Sequence, residues 1–129
     1  MGDEMQEILD FMKGMTFTSV MVNKNNDELV FEDGTVRITF YHSQDCCESV
    51  YIEDFCGDSA DLVGTPLLEA RYDTSEENPE GVEPPEYQDC YMWTFYTFRT
   101  VKGTVTVRWY GDSNGYYSVS VDVRREFIS

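Results

Sequence analysis

The opening stretch "GDEMQEILDFMKGM" sets Met5, Ile8, Leu9 and Met12 at intervals of three and four, the spacing of one helical face. Asp3, Glu4 and Glu7 fall in the first turns, where the helix dipole favours negative charge, and Lys13 and Gly14 supply the stop. The spacing predicts a short amphipathic helix laid on a sheet. From Thr16 the period drops to two. "TFTSVMVN", "ELVFE" and "TVRITFYH" alternate apolar with polar positions. "NKNND" and the Asp33-Gly34 pair part them as turns, so three antiparallel strands in a meander are expected. "SVYIEDF" reads as a fourth strand and "PLLEARY" as a fifth, with Gly57, Gly64 and Pro66 as breaks between them.

Near the C-terminus "YMWTFYTFRT", "TVTVRWYG" and "YYSVSVDVRRE" are β-branched and aromatic runs split by "VKG" and "DSNG". Alternation sets Val105, Val107 and Trp109 against Thr104, Thr106, Arg108 and Tyr110. In the last run it sets Tyr117, Val119, Val121 and Val123 against Ser118, Ser120 and Asp122. A second three-stranded meander is predicted, with one face in the core. Seven or eight strands and one helix make a mainly antiparallel β domain of the α+β class: a strongly twisted sheet or open barrel, covered on one face by the short N-terminal helix.

Length fits this scheme, since 129 residues bury the core of one domain and not of two. Residues 73–89, "DTSEENPEGVEPPEYQD", hold three prolines and seven carboxylates with almost nothing apolar, and are expected to form an extended acidic loop. No run approaches the roughly 20 apolar residues of a membrane span, and the first residues are acidic where a secretory leader is basic, so a soluble, cytoplasmic chain is expected. In that compartment the four cysteines act as thiols or metal ligands and not as disulfides.

Charge sharpens the picture. The net charge is −16, distributed as −5 over residues 1–44, −13 over 45–89 and +2 over 90–129. Such a field repels nucleic acid and anionic membrane and attracts basic protein surfaces, so direct nucleic-acid binding is not expected. Nine tyrosines, eight phenylalanines and two tryptophans crowd the strands. Stacking on single-stranded nucleic acid would need a basic groove beside them. Outward tyrosines, with Tyr91, Tyr96, Tyr110 and Tyr116 as candidates, suit a protein contact instead.

The candidate chemistry lies in "FYHSQDCCESVYIEDFCGD", which holds the sole histidine and three of the four cysteines. If Ile38, Phe40, Val50 and Ile52 all face the core, the loop between their strands must be odd. A three-residue loop, Ser43-Gln44-Asp45, sets His42 opposite Cys46, Phe40 opposite Glu48 and Ile38 opposite Val50. His42, Cys46 and Glu48 then share one face, close enough for imidazole and thiolate to hold one zinc ion. An irregular loop would bring in Cys47 for Cys46, and Cys56 and Cys90 are further candidates. No paired-cysteine spacing and no second histidine accompanies them, so small half-buried cysteines beside a capping histidine explain the same residues. Asp45 and Glu48 disfavour a reactive thiolate, Asp54, Asp58 and Asp61 lack a matched base, and no phosphate-binding motif is present. No catalytic residue is assigned.

"YHSQDCCESV" and "TVRWYGDSNGYYS", within residues 30–123, resemble a small domain family of unassigned function found largely in phages and prophages. The resemblance implies no enzymatic activity. It implies a phage protein in the cytoplasm of a bacterial host, similar to the anti-CRISPR inhibitors that occupy basic nucleic-acid surfaces of a type II effector nuclease, one of which contains a metal. On this expectation a structural zinc held by His42, Cys46, Cys47 and Glu48 braces the protein. Glu53, Asp54, Asp58, Asp61, Glu76, Glu77, Glu80, Glu83 and Glu86 then engage lysines and arginines of the target. Two rivals stand beside it: a metal-dependent enzyme using the same site with an open coordination position, and a metal-free virion or prophage structural module. The oligomeric state is left open.

Overall fold

A computed structural model describes residues 4–43, 48–75, 90–113 and 119–128, with Cys90 described by its backbone alone. Helix α1 (Glu4–Met12) is followed by β1 (Ser19–Val22), β2 (Leu29–Glu32), β3 (Val36–Tyr41) and β4 (Ser49–Cys56). After a 3-10 turn at Ser59–Leu62 come β5 (Glu69–Ser75), β6 (Cys90–Thr100), β7 (Gly103–Ser113) and β8 (Asp122–Phe127). The strands form two antiparallel sheets, in the orders β1-β2-β3-β8 and β4-β7-β6-β5. The chain is thus mainly antiparallel β with one short N-terminal helix, as expected, and the strands pack as two layers without closing a barrel.

Local chemistry explains the hairpins. At the β2–β3 turn Gly34 takes φ +93°, and the Asp33 carboxylate accepts the backbone N–H of Thr35 and of Val36 at 2.9 and 2.8 Å. The "VKG" turn joins β6 to β7 with Thr100 opposite Gly103. Helix α1 buries Ile8, Leu9 and Met12, and ends where Gly14, at φ +89°, donates its N–H to the Leu67 carbonyl at 2.7 Å. It packs on β5 and β8, one edge strand from each sheet, and so bridges the seam between the layers.

Two expected pairings do not form. Strand β3 does not pair with β4: Phe40 lies opposite Val123 and Ile38 opposite Arg125, while Val50 lies opposite Gly111. The last strand does not pair with β7 either; it begins at Asp122 and completes the other sheet. The chain therefore changes layer twice, after β3 and after β7. The reason is burial of large rings. Division into two layers lets Phe31 meet Phe98, and Phe40 meet Tyr96, both at 4.9 Å between ring centroids across the interior. One continuous sheet would leave one side of these rings in water.

Faces follow alternation. Val105, Val107 and Trp109 are fully buried, and Val119, Val121 and Val123 are buried as expected. Tyr96 departs from expectation: it is completely buried and not outward. It shares the inner face of β6 with Phe98, while Tyr91, Trp93 and Phe95 take the outer one.

Candidate functional site

Both changes of layer pass the same point, and His42 stands there. It follows β3 directly, and its Nδ1 lies 2.8 Å from the carbonyl oxygen of Ser120, on the segment that leads into β8. Its Nε2 lies 2.8 Å from Oε2 of Glu48, the residue that precedes β4. The backbone N–H of Ser43 donates to the Asp122 carboxylate at 3.1 Å, a second tie between the crossings. The His42 side chain is only 5% exposed and that of Glu48 is fully buried.

A carbonyl oxygen only accepts, so Nδ1 carries a hydrogen. A carboxylate facing a ring nitrogen at this distance needs one proton between them, and the pair is neutral overall wherever that proton resides. The two residues singled out from the sequence thus do meet. They meet through tertiary folding and not through the ladder from which their proximity was inferred.

The other candidates divide. Cys46 and Cys47 lie outside the described residues. Cys56 ends β4 at its far end, seven residues from Ser49 and so about 23 Å away along the strand, which removes it from this site. Cys90 begins β6 with its backbone opposite Ser113, at the end of the sheet where Glu48 precedes β4. Among the described residues, no three histidine, cysteine, aspartate or glutamate side chains converge.

Of the acids expected to face a partner, Glu76, Glu77, Glu80, Glu83 and Glu86 lie outside the described residues. Asp54 is ion-paired with Arg108. Asp58 caps the 3-10 turn, accepting the Ala60 N–H at 2.9 Å. Asp61 is half-buried and reaches the Gly103 backbone, where its Oδ2 would lie 2.7 Å from an added Cβ. Glu53 is exposed, at an irregularity of β4 between Ile52 and Asp54, and takes a hydrogen bond from Tyr51.

The outer face of the β4-β7-β6-β5 sheet carries what the sequence reading missed. Tyr51, Tyr110 and Trp93 form one row across three strands, with ring centroids 5.8 and 5.1 Å apart. Tyr91 stacks on Tyr110 at 6.3 Å, and Phe95 lies parallel to Trp93, also at 6.3 Å. The Arg108 guanidinium sits 5.8 Å from the Trp93 ring centre. Glu53, Asp54 and Asp112 border this strip. Of its rings only Tyr91 and Tyr110 were anticipated, and Tyr116 lies outside the described residues. Tyr51, alternating with Ile52 in "VYIEDF", was the signal available for the rest.

Burial, followed by the charge and hydrogen bond of Asp112, pushes the Tyr110 phenol well above its ordinary range, and burial and Glu53 push Tyr51 the same way. The folded state holds these protons more tightly than the unfolded chain. Their stabilisation is therefore complete below pH about 10 and is lost as pH rises beyond it. The melting temperature should fall on the alkaline side of that value. Tyr110→Phe should flatten the fall while melting within a few degrees of wild type at neutral pH. An unchanged alkaline slope would count against the assignment.

Residues 10–123 match the model of a family described as a domain of unknown function, DUF7448. The match takes in β1 to β7, the start of β8, and both members of the His42–Glu48 pair. No curated protein and no solved structure matches the chain.

Proposed function

The chain belongs to the DUF7448 family, and from its own residues we propose that it is a binding protein and not an enzyme. The resemblance of "YHSQDCCESV" and "TVRWYGDSNGYYS" to phage and prophage domains extends this reading to a phage-encoded acidic inhibitor that docks on a basic surface of a host defence nuclease, a type II CRISPR effector, and keeps nucleic acid off it. The observation that carries the proposal is the outer aromatic strip, in which Tyr51, Tyr91 and Phe95 are half-buried and Trp93 and Tyr110 buried, with the exposed Glu53 at its border. Tyrosines are enriched at protein contacts, and the exposed Glu53 carboxylate beside them favours a cationic partner. Residues 45–89, with Arg71 as their single base, add the long-range attraction.

A structural zinc belongs to the same proposal. His42 Nε2 and Glu48, with Cys46 and Cys47, would hold it, and the Nδ1–H donated to Ser120 is the outer contact that orients metal-bound imidazoles. The ion would take the place of the shared proton.

The test is capture of purified effector by the immobilised chain. Raising salt from about 50 to about 300 mM shortens the screening length from roughly 14 to roughly 6 Å and should release most of the captured effector. Glu53→Lys should weaken capture about tenfold, a loss near 1.4 kcal/mol. No capture at low salt refutes the proposal.

A further inference from the structure

Helix α1 covers the seam between the edge strands β5 and β8, whereas the other two edge strands, β1 and β4, wall a pocket of about 340 Å³. Val20 and Ile52 form its buried floor, and Val22 and Phe55 its half-buried walls. Val20 and Val22 lie opposite Phe31 and Leu29, and Ile52 and Phe55 opposite Trp109 and Val107; all four partners are fully buried, so the apolar lining comes from the inner faces of both sheets. The pocket is a gap in the margin of the core, where Val22 and Phe55 pack on the interior and still meet water.

An irregularity of β4 shapes it. Simple alternation would put Ile52 and Phe55, three apart, on opposite faces. The register passes from Ile52 opposite Trp109 to Asp54 opposite Arg108, so Glu53 is an extra residue and Phe55 returns to the inner face. Glu53 is exposed and is the one charged side chain in the lining among the described residues. No lysine or arginine among the described residues pairs with it. Its hydrogen bond from Tyr51 joins the pocket to the outer aromatic strip.

We infer that this pocket anchors the basic partner protein by taking one large aliphatic side chain from it, with a neighbouring lysine or arginine of the partner paired to Glu53. The inference rests on the reading of the chain as a binder of a basic protein, and adds the place and chemistry of the anchor. A side chain suits the pocket and an added strand does not: the Ile52 N–H on this edge of β4 is already donated to the Asn26 carbonyl at 2.6 Å, and the volume is at the small end for a ligand site. Filling the gap takes the exposed parts of Val22 and Phe55 out of water, the usual source of affinity at an anchor, and Glu53 then selects by the charge beside the aliphatic residue.

The probe is acetyl-Lys-Leu-Lys-amide, titrated into the isotope-labelled full chain and followed by NMR at the backbone amides of Val22, Ile52 and Phe55. Saturable shifts are expected there, with about tenfold weaker binding of acetyl-Lys-Ala-Lys-amide, which leaves the gap unfilled, and of acetyl-Glu-Leu-Glu-amide, which opposes Glu53. Ser59→Leu, at a half-buried position in the lining, should occupy the gap and weaken Lys-Leu-Lys binding about tenfold, and Val22→Phe should do the same from the opposite wall. Thr104→Leu, at an exposed position outside the pocket, should leave binding unchanged. Glu53→Gln, which keeps an oxygen for the Tyr51 hydroxyl, should cut the preference for lysine flanks at least threefold. Equal binding of the leucine and alanine peptides, an unchanged preference in Glu53→Gln, or full affinity in both filled variants overturns the inference. So does the absence of saturable shifts in a chain that captures the effector, a result that would leave the proposed function standing. Peptide binding by a chain that captures no effector supports the anchor and rejects the effector as its target.

Discussion

Replacing His42 by alanine is expected to lower the melting temperature by roughly 10–25 °C. The substitution leaves the Glu48 carboxylate fully buried without the imidazole that shares its proton, and breaking a buried charged pair from one side costs about 3–5 kcal/mol. For a chain of this length each kcal/mol is worth about 3–5 °C. It also releases the Ser120 carbonyl and loosens the point where both changes of layer meet. The double variant His42→Leu, Glu48→Leu distinguishes the two chemistries of the pair. If only a proton joins the residues, two leucines replace the pair at little cost and the double variant recovers most of the loss. If zinc joins them, ligation is part of the folding energy and leucines do not restore it. Wild-type protein would then carry stoichiometric zinc by atomic emission, and a chelator would lower its melting temperature while leaving His42→Ala unmoved. A wild-type chain indifferent to chelation, with no zinc after purification without a histidine tag, rejects the metal.

Gly111→Ala is expected to cost about 3 kcal/mol, visible as a fall of roughly 10 °C in melting temperature. A Cβ at this inner-face position of β7 would lie 2.9 Å from both the Cβ and the carbonyl oxygen of Val119, and 3.0 Å from a Val50 methyl. The Val119 carbonyl belongs to the segment that leaves one layer for the other, so relief requires moving backbone. Gly103→Ala is the contrast. Its Cβ would come within 2.7 Å of the Asp61 carboxylate, the end of a side chain that rotates away, and a fall of only a few degrees is expected. Equal losses in the two variants would show that crowding of the crossing backbone is not what requires glycine at 111.

Much of this molecule was legible in its sequence because much of it is local. Periods of 3.6 and 2 located α1 and the strands, and Asp33-Gly34 and "VKG" located tight hairpins. Alternation also sorted Val105, Val107 and Trp109 into the interior. The same rule could not orient "YMWTFYTF", which has aromatic residues on both faces. Tyr96 went inward and Trp93 outward because Phe40 of β3 waits on one side of β6, a neighbour that comes from elsewhere in the chain. The candidate site divided likewise. Residue types singled out His42 and Glu48, whereas a ladder between β3 and β4 supplied the wrong reason for their meeting.

The sequence by itself thus determined which segments are strands, where the helix stops, which residues alternate into the interior, and that the surface is strongly anionic. Tertiary structure decided which strands are neighbours. A ladder's hydrogen bonds are equally well made by any strand of suitable length, so backbone pairing does not choose the partner. Packing Phe31 and Phe40 against Phe98 and Tyr96 favours two layers over one sheet and sends the chain across the interior twice. That choice brought His42, Glu48 and Ser120 together.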